Sequence, residues 1–352
     1  MADAAGRPLR LGLCGHGWVI EHGYLPALRR SDSRFEVAAI AEPGPAAAAR
    51  AKVVWPEATV VADVGQLLAS GVDAVLVASP NPEHLAQAVA AMEAGLPCLV
   101  EKPLLRDLGD LAVLEAATGD GLLVPAVVCR HRADTQCWLA GLAELGTLKQ
   151  LALSWRRHRG VPSAAWHHRE AEGWTGVFAD LGAHLVDILG AALSWQFEGL
   201  ECSGLRCLRG GSGKAAAWYG ASHLTTVDVV TGVEVTLDAG SIRIELAAAW
   251  TDEVPGDLVR LEAIGSEGSV VLEGLFGFSP ERRVPQQRVC RYGRDGSLVR
   301  QDDFEPGPRL QLAGFDAVLR HFADAIDSAR TTDWRPIQFA AVLGACLGAA
   351  RQ

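Results

Sequence analysis

Lysine is nearly missing from this chain of 352 residues: Lys52, Lys102, Lys149 and Lys214 are the only four, and every other cationic side chain is arginine. A chain that so seldom uses a titratable amine gives weight to any lysine that falls in a motif. Basic residues are also in the minority, 32 Lys and Arg against 42 Asp and Glu. The formal charge of -10 opposes sequence-independent attraction to phosphate backbones or anionic lipid, which disfavours nucleic acid and membrane surface as partners. No Cys-x-x-Cys pair occurs among the eight cysteines, and several lie in apolar runs such as Pro97-Cys98-Leu99-Val100. That usage fits reduced core thiols in a cytoplasmic protein, with a Cys202–Cys207 pair as the alternative. No apolar stretch is long enough for a membrane span: Phe339 to Ala350 falls short of the roughly 18 residues required and reads as a buried helix. The N-terminal segment carries Asp3 and no small-residue cleavage site, so it does not read as a secretory signal.

What is present is a globular composition, 49% hydrophobic and 21% charged, in a length that suggests two domains. The first third alternates strand-like runs (Leu9–Cys14, Phe35–Ala41, Ala74–Ala78, Cys98–Val100, Leu122–Cys129) with helical stretches. One of these, Pro82–Ala94, reads as capped by Asn81 and ended by Gly95. Strands separated by helices of this length imply right-handed βαβ units and a doubly wound parallel sheet. After about residue 130, helical stretches at Gln136–Leu145 and Val177–Leu193 flank a strand at Leu151–Arg157. Strand-like runs then accumulate at Thr226–Leu237, Ser241–Ala248, Val259–Ala263 and Ser269–Leu272, before two closing helices at Leu310–Ser328 and Ile337–Ala350. The expected fold is α/β, with a doubly wound domain over 1–128 and an α+β domain with a large, mostly antiparallel sheet over 129–352. The closing helices are free to pack back on the first domain.

Three clusters carry chemistry. Gly15-His16-Gly17-Trp18-Val19-Ile20 stands where the first strand turns into a helix, so Gly15 and Gly17 would permit a tight turn and close approach of a pyrophosphate to the helix N-terminus at Trp18 and Val19. Ile20 replaces the third glycine of the dinucleotide fingerprint, and a glycine turn without a ligand is the competing reading. Glu42 at the tip of the second strand suits ribose hydroxyls and would repel a 2′-phosphate, unless it is plain surface charge. Glu101-Lys102-Pro103 follows a buried strand, at the edge where α/β sheets bind ligands, and an ordinary solvated lysine is the alternative. In Asp180-Leu181-Gly182-Ala183-His184-Leu185-Val186-Asp187, helical spacing puts 180, 184 and 187 on one face, pointing away from the leucines. Such an Asp–His pair can be a salt bridge, a metal pair or an acid/base couple. No third metal ligand is placed by the sequence, so no metal is expected.

These residues together with Ala78-Ser79-Pro80-Asn81-Pro82-Glu83-His84 resemble the Gfo/Idh/MocA oxidoreductases. The resemblance extends to Arg132-Ala133-Asp134, like the Arg-Phe-Asp that opens the family's second domain, and to the closing helices from Leu310. It implies an N-terminal Rossmann domain, a second domain whose open antiparallel sheet makes a homodimer or homotetramer, and NAD (or NADP) as cofactor. It also implies reversible hydride transfer with a carbinol carbon of a sugar, aminosugar or cyclitol. Lys102 would bind the reacting oxygen and position the nicotinamide ribose, His184 would be the proton donor or acceptor, and Asp180 would orient substrate hydroxyls. Lys102 and His184 would meet across a cleft. Glu101, Ser79, Asn81 and His84 would line the cofactor side, and the Lys102-Pro103 bond is a candidate for the cis form. The segment Gly173-Trp174-Thr175-Gly176-Val177-Phe178-Ala179 departs from the family's small-residue run. Trp174, with Trp166, His167, His168, Arg169 and Arg132, would then shape a substrate pocket, or Trp174 would pack in the core. The run Arg156-Arg157-His158-Arg159 reads first as a solvated strand end and second as a contact for an anionic group. Two further functions stay open: a nicotinamide-sensing regulator, which has no need of the acid/base set, and an NAD-assisted glycosidase.

Overall fold

Short runs buried on both faces dictate a parallel sheet, and the computed structural model builds one from the first third of the chain. It describes residues 7–30, 32–105, 107–158, 161–162, 176–210, 228–251 and 255–349. The strands are β1 (Leu9–Cys14), β2 (Phe35–Ala41), β3 (Thr59–Val61), β4 (Ala74–Val77), β5 (Cys98–Glu101) and β6 (Leu123–Ala126). All pair parallel in the order β3-β2-β1-β4-β5-β6. That order reverses direction at β1/β4, the point where doubly wound sheets open a crevice beyond their carboxyl ends. Every residue of β4 and β5 is buried, as helices on both faces require.

Local signals decide several ends. Asp63 and Asp107 cap the helices Val64–Leu68 and Leu108–Thr118 by accepting from the backbone N–H of Gln66 and Asp110. Asn81 is not the helix cap the sequence suggested: a 3-10 turn, Asn81–Glu83, precedes the helix His84–Glu93. Such tightening is common at helix starts and lets Glu83 N–H bond the Pro80 carbonyl at 2.9 Å. Gly95 follows that helix at φ 72°, as a left-handed terminator should.

The second sheet has eight strands: β7 (Leu148–Arg156), β8 (Leu200–Arg209), β9 (Val230–Ala239), β10 (Ile242–Ala249), β11 (Leu258–Gly265), β12 (Gly268–Gly274), β13 (Gln287–Gly293) and β14 (Leu298–Phe304). Its order is β14-β13-β12-β11-β7-β10-β9-β8. Every neighbour is antiparallel except β10 and β7, which run parallel. Alternation is clear in β7, where Leu151, Leu153 and Trp155 are buried, and in β11, where Val259, Leu261 and Ala263 are. The other face carries charge, including Arg288 to Glu273 at 3.0 Å and Arg260 to Glu262 at 3.3 Å. Against the buried face lie Leu181, Leu185, Ile188 and Leu189 of the helical segment that starts at Phe178.

The chain divides into two compact units: residues to Ala126 with Phe315–Ile337, and Val127–Gly314 with residues from Gln338 on. All eight cysteines are free thiols. Cys202 and Cys207 share strand β8, where five residues of extension separate them by about 16 Å, far beyond disulfide reach. No helix among the described residues is long and apolar enough to cross a membrane.

Arg132 is inside the second unit, at 0% exposure. Its guanidinium donates to both oxygens of Asp134 (3.1 and 2.8 Å), to Gln311 (2.9 Å) and to the Leu275 carbonyl, and lies 4.6 Å from the Phe276 ring. This side chain organises the core and does not present itself to a substrate, contrary to the sequence expectation. Arg132→Met would leave Asp134 buried without its cation, and unfolding stability is expected to fall by about 3–5 kcal/mol, read as a lower urea midpoint. A loss no larger than the about 0.5 kcal/mol of an ordinary surface substitution would contradict that role.

Candidate active site

In the first unit the strand β1 ends at Cys14 and the chain reverses through Gly15 at φ +91°, where a Cβ would stand 3.0 Å from the Ala78 carbonyl and the Ser79 Cα. Only glycine fits there, because β4 hands its own carboxyl end to the same spot. Gly17 is different: among the described residues, none but its own chain neighbours lies within 4 Å of where its Cβ would project. Internal packing therefore does not demand a glycine at 17, whereas close approach of a ligand to the backbone would. Glu42 binds this loop, its carboxylate accepting from His16 N–H at 2.8 Å and Gly44 N–H at 2.9 Å. His16 is buried and accepts from the Trp55 indole N–H at 3.2 Å through Nε2, so its proton sits on Nδ1, 3.4 Å from Glu21. Burial depresses its pKa and keeps the ring neutral. The helix begins at Trp18 and Val19 and widens into a π-turn over Ile20–Tyr24, beginning at the residue that replaces the third glycine. A glycine cradle, an amide-rich helix start and an acceptor at the β2 tip fit a dinucleotide.

At the end of β5 the Glu101 carboxylate points inward. It accepts from the Tyr24 hydroxyl at 2.8 Å and from Lys102 N–H at 3.1 Å. Burial raises its pKa, opposed by the Lys102 charge and by both hydrogen bonds. Lys102 is half-buried, and its bond to Pro103 is cis. His84 ties this turn to the end of β4: Nδ1 lies 3.0 Å from the Pro103 carbonyl and Nε2 2.8 Å from the Ser79 carbonyl. Ser79 Oγ bonds Gln87 at 2.8 Å. Gly15, Ser79, His84, Glu101 and Lys102 thus form one connected region at the carboxyl edge of the parallel sheet, with Asn81 in the turn between Ser79 and His84.

In the second unit Asp180 occupies a π-turn, Phe178–Gly182, that leads into the helix Ala183–Ala192 carrying His184 and Asp187. Gly182 permits the turn, since a Cβ there would meet the Phe178 ring at 2.7 Å. Widened turns of this kind recur at functional sites. The three polar residues do not point away from the core as the spacing suggested: all are buried, each with its own surroundings. Asp187 pairs with Arg130 at 2.7 Å, and Arg130 lies 5.2 Å over the Trp195 ring, so Asp187 is a packing ion pair. Asp180 Oδ2 accepts from the Trp250 indole N–H at 2.9 Å and from Arg157 Nη1 at 3.4 Å. The His184 ring is 5.6 Å from that of Trp155.

Sequence reasoning missed Tyr24, Trp155 and Trp250, and placed Arg157 among solvated cations. Strand alternation was the available signal, since it turns Arg156 outward to Glu234 (3.0 Å) and Arg157 inward. Trp166, Arg169 and Trp174, like His167, His168 and Arg159, lie outside the described residues. Among the described residues, no group of three or more His, Cys, Asp or Glu could hold a metal ion.

The family model described as "Oxidoreductase family, NAD-binding Rossmann fold" (Gfo/Idh/MocA) matches residues 9–124. The chain is 32% identical over 305 residues to a putative UDP-kanosamine synthase oxidoreductase subunit of Amycolatopsis mediterranei, covering 83% of this chain and 82% of that one. It is 35% identical over 325 residues to an inositol 2-dehydrogenase of Streptomyces avermitilis, covering 88% and 80%. A 3-ketoreductase from Actinomadura kijaniata, solved in complex with NADP and TDP-benzene, superposes with a TM-score of 0.76 at 22% identity, covering 98% and 97%. The sheet order, the glycine cradle and a relative at 35% identity over most of both chains make this protein a member of the Gfo/Idh/MocA oxidoreductase family, with an NAD-binding Rossmann fold.

Proposed function

We propose that the protein is a nicotinamide-dependent dehydrogenase or ketoreductase acting on one carbinol carbon of a sugar, aminosugar or cyclitol. The observation that carries the reading is the buried Asp180, held by two donors on the same widened helix start as His184, in a chain that also places one of its four lysines at the sheet edge. The relatives' names point the same way: one acts on inositol, and one belongs to the synthesis of a nucleotide-linked aminosugar. The first unit would hold the dinucleotide and the second the substrate.

When bound, nicotinamide accepts or donates the hydride. Gly15, Gly17 and the amides at Trp18 and Val19 hold the pyrophosphate. Glu42 takes the adenosine ribose hydroxyls and disfavours a 2′-phosphate, so NAD is preferred over NADP. Ser79, Asn81 and His84 support the cofactor side, and Glu101 acts through the main chain of Lys102. Lys102 places its cation beside the oxygen that gains charge as the alcohol is oxidised. His184 takes the hydroxyl proton and returns it in the reverse direction. Asp180 orients the neighbouring substrate hydroxyls. Trp166, Arg169 and Trp174 remain candidates for substrate contacts, and the eight-stranded sheet for a homodimer or homotetramer interface in the cytoplasm.

Purified protein tested with NAD and NADP on myo-inositol, glucose and UDP-glucose should turn over at least one of them. Lys102→Ala and His184→Ala should each lower kcat/KM by about 10²–10⁴-fold, the usual range for a positioned acid/base or charged group. Unimpaired turnover in both variants would remove their assigned roles. The ratio of kcat/KM for NAD to that for NADP should exceed about 10, worth roughly 1.4 kcal/mol of discrimination, and shrink in Glu42→Ser. Equal use of both cofactors would refute the part given to Glu42.

A further inference from the structure

We propose that Arg157 is a positioning residue for the reaction, fixing the Asp180 carboxylate from the end of strand β7 with Trp250 as its partner from the end of β10. The inference rests on the dehydrogenase reading above, in which Asp180 orients substrate hydroxyls.

The geometry begins with the one parallel pair in the second sheet. Its last rungs are Trp155↔Ala248 and Arg156↔Ala249. The next residues keep the alignment, with Arg157 N–H donating to the Ala249 carbonyl at 2.8 Å and Trp250 N–H to the Thr231 carbonyl at 2.9 Å. A parallel register sends equivalent residues to the same face, so Arg157 and Trp250 emerge side by side on the face of Trp155. Both then donate to one atom, Asp180 Oδ2. The continuations of two paired strands thus meet on one carboxylate oxygen.

Arg157 is itself restrained. It is 4% exposed, and its guanidinium stands 5.4 Å from the Trp155 ring, whose other neighbour is His184 at 5.6 Å. A second buried carboxylate lies within its field. Asp257 is fully buried and accepts from His158 N–H at 2.8 Å; burial raises its pKa, opposed by that hydrogen bond and by the Arg157 charge. One cation thus faces two buried carboxyl groups. An ion arrangement of this kind adds little to stability over apolar side chains of the same volume. Its outcome is a carboxyl group whose orientation is fixed before substrate arrives.

The test pairs kinetics with structure. With whichever of myo-inositol, glucose and UDP-glucose the wild type oxidises, Arg157→Ala should lower kcat/KM by about 10- to 100-fold, the loss of a charge-assisted hydrogen bond. Millimolar guanidinium should restore part of it. In an Asp180→Asn background the same substitution should change kcat/KM by less than about threefold, because coupled residues are not additive. Full activity in Arg157→Ala, or an equal loss in both backgrounds with no response to guanidinium, would overturn the proposal. Should Arg157→Ala fail to fold, Arg157→Lys decides by the same comparison: it keeps the cation without the planar fork, and its loss should again vanish beside Asp180→Asn. A crystal structure of the Arg157 variant reads positioning without turnover. A displaced Asp180 carboxylate is expected, and one still 2.9 Å from the Trp250 indole nitrogen contradicts the proposal even if the wild type is active. A wild type that oxidises none of the three polyols refutes the polyol reading, while the position of Asp180 in the variant still decides the role of Arg157.

Discussion

A carboxylate withdrawn from water must be met by donors that the fold holds in place, and each of the two units contains one such group. In the first unit it is Glu101, closed by the Tyr24 hydroxyl and the Lys102 amide. In the second it is Asp180, closed by Trp250 and Arg157. Without those donors burial would cost several kcal/mol or force protonation. With them, a buried carboxyl group becomes a fixed reference point on the segment that carries Lys102 in one case and His184 in the other.

Parallel pairing is the common means. In the first sheet the carboxyl ends of β1, β4 and β5 come together because all strands run one way, so Gly15 packs on Ser79, and His84 joins Ser79 to Pro103. In the second sheet a single parallel pair within an otherwise antiparallel array repeats the effect, aligning Arg157 with Trp250. An antiparallel pair would have sent those two strands' continuations in opposite directions. Each unit also carries a π-turn among these residues, Ile20–Tyr24 after the glycine cradle and Phe178–Gly182 at Asp180. In the second, the wide turn carries Asp180 itself and is possible because Gly182 has no side chain to meet Phe178.

Much of this was legible in the sequence because it depends on short spacing. The strands β1 and β2, the glycine turn, and the Glu-Lys-Pro segment after an apolar strand are local patterns, and local physics decides them. Strands β8, β13 and β14 were not legible. Leu298–Phe304 is exposed along most of its length, and β13 alternates in a stretch dense with arginine and glutamine, so neither carries a hydrophobic signature. The partners of Asp180 were hidden for another reason. Arg157 sits among Arg156, His158 and Arg159; alternation along β7 marks it as inward-facing, but its partner Trp250 follows a strand more than 80 residues on, which no local pattern connects to it. Arg132 misled in the opposite sense, since a motif arginine looks like a ligand contact until Asp134, Gln311 and the Leu275 carbonyl are found around it.

The central claim is that this family member moves a hydride between nicotinamide and a carbinol carbon. The most direct measurement follows the label: a polyol substrate deuterated at its carbinol carbons is oxidised in the presence of NAD, and the reduced cofactor is analysed by mass spectrometry and proton NMR. The account predicts one deuterium per turnover at the nicotinamide ring, with none lost to water. Deuterium recovered in solvent, or binding of NAD with no transfer from any polyol tested, would contradict it.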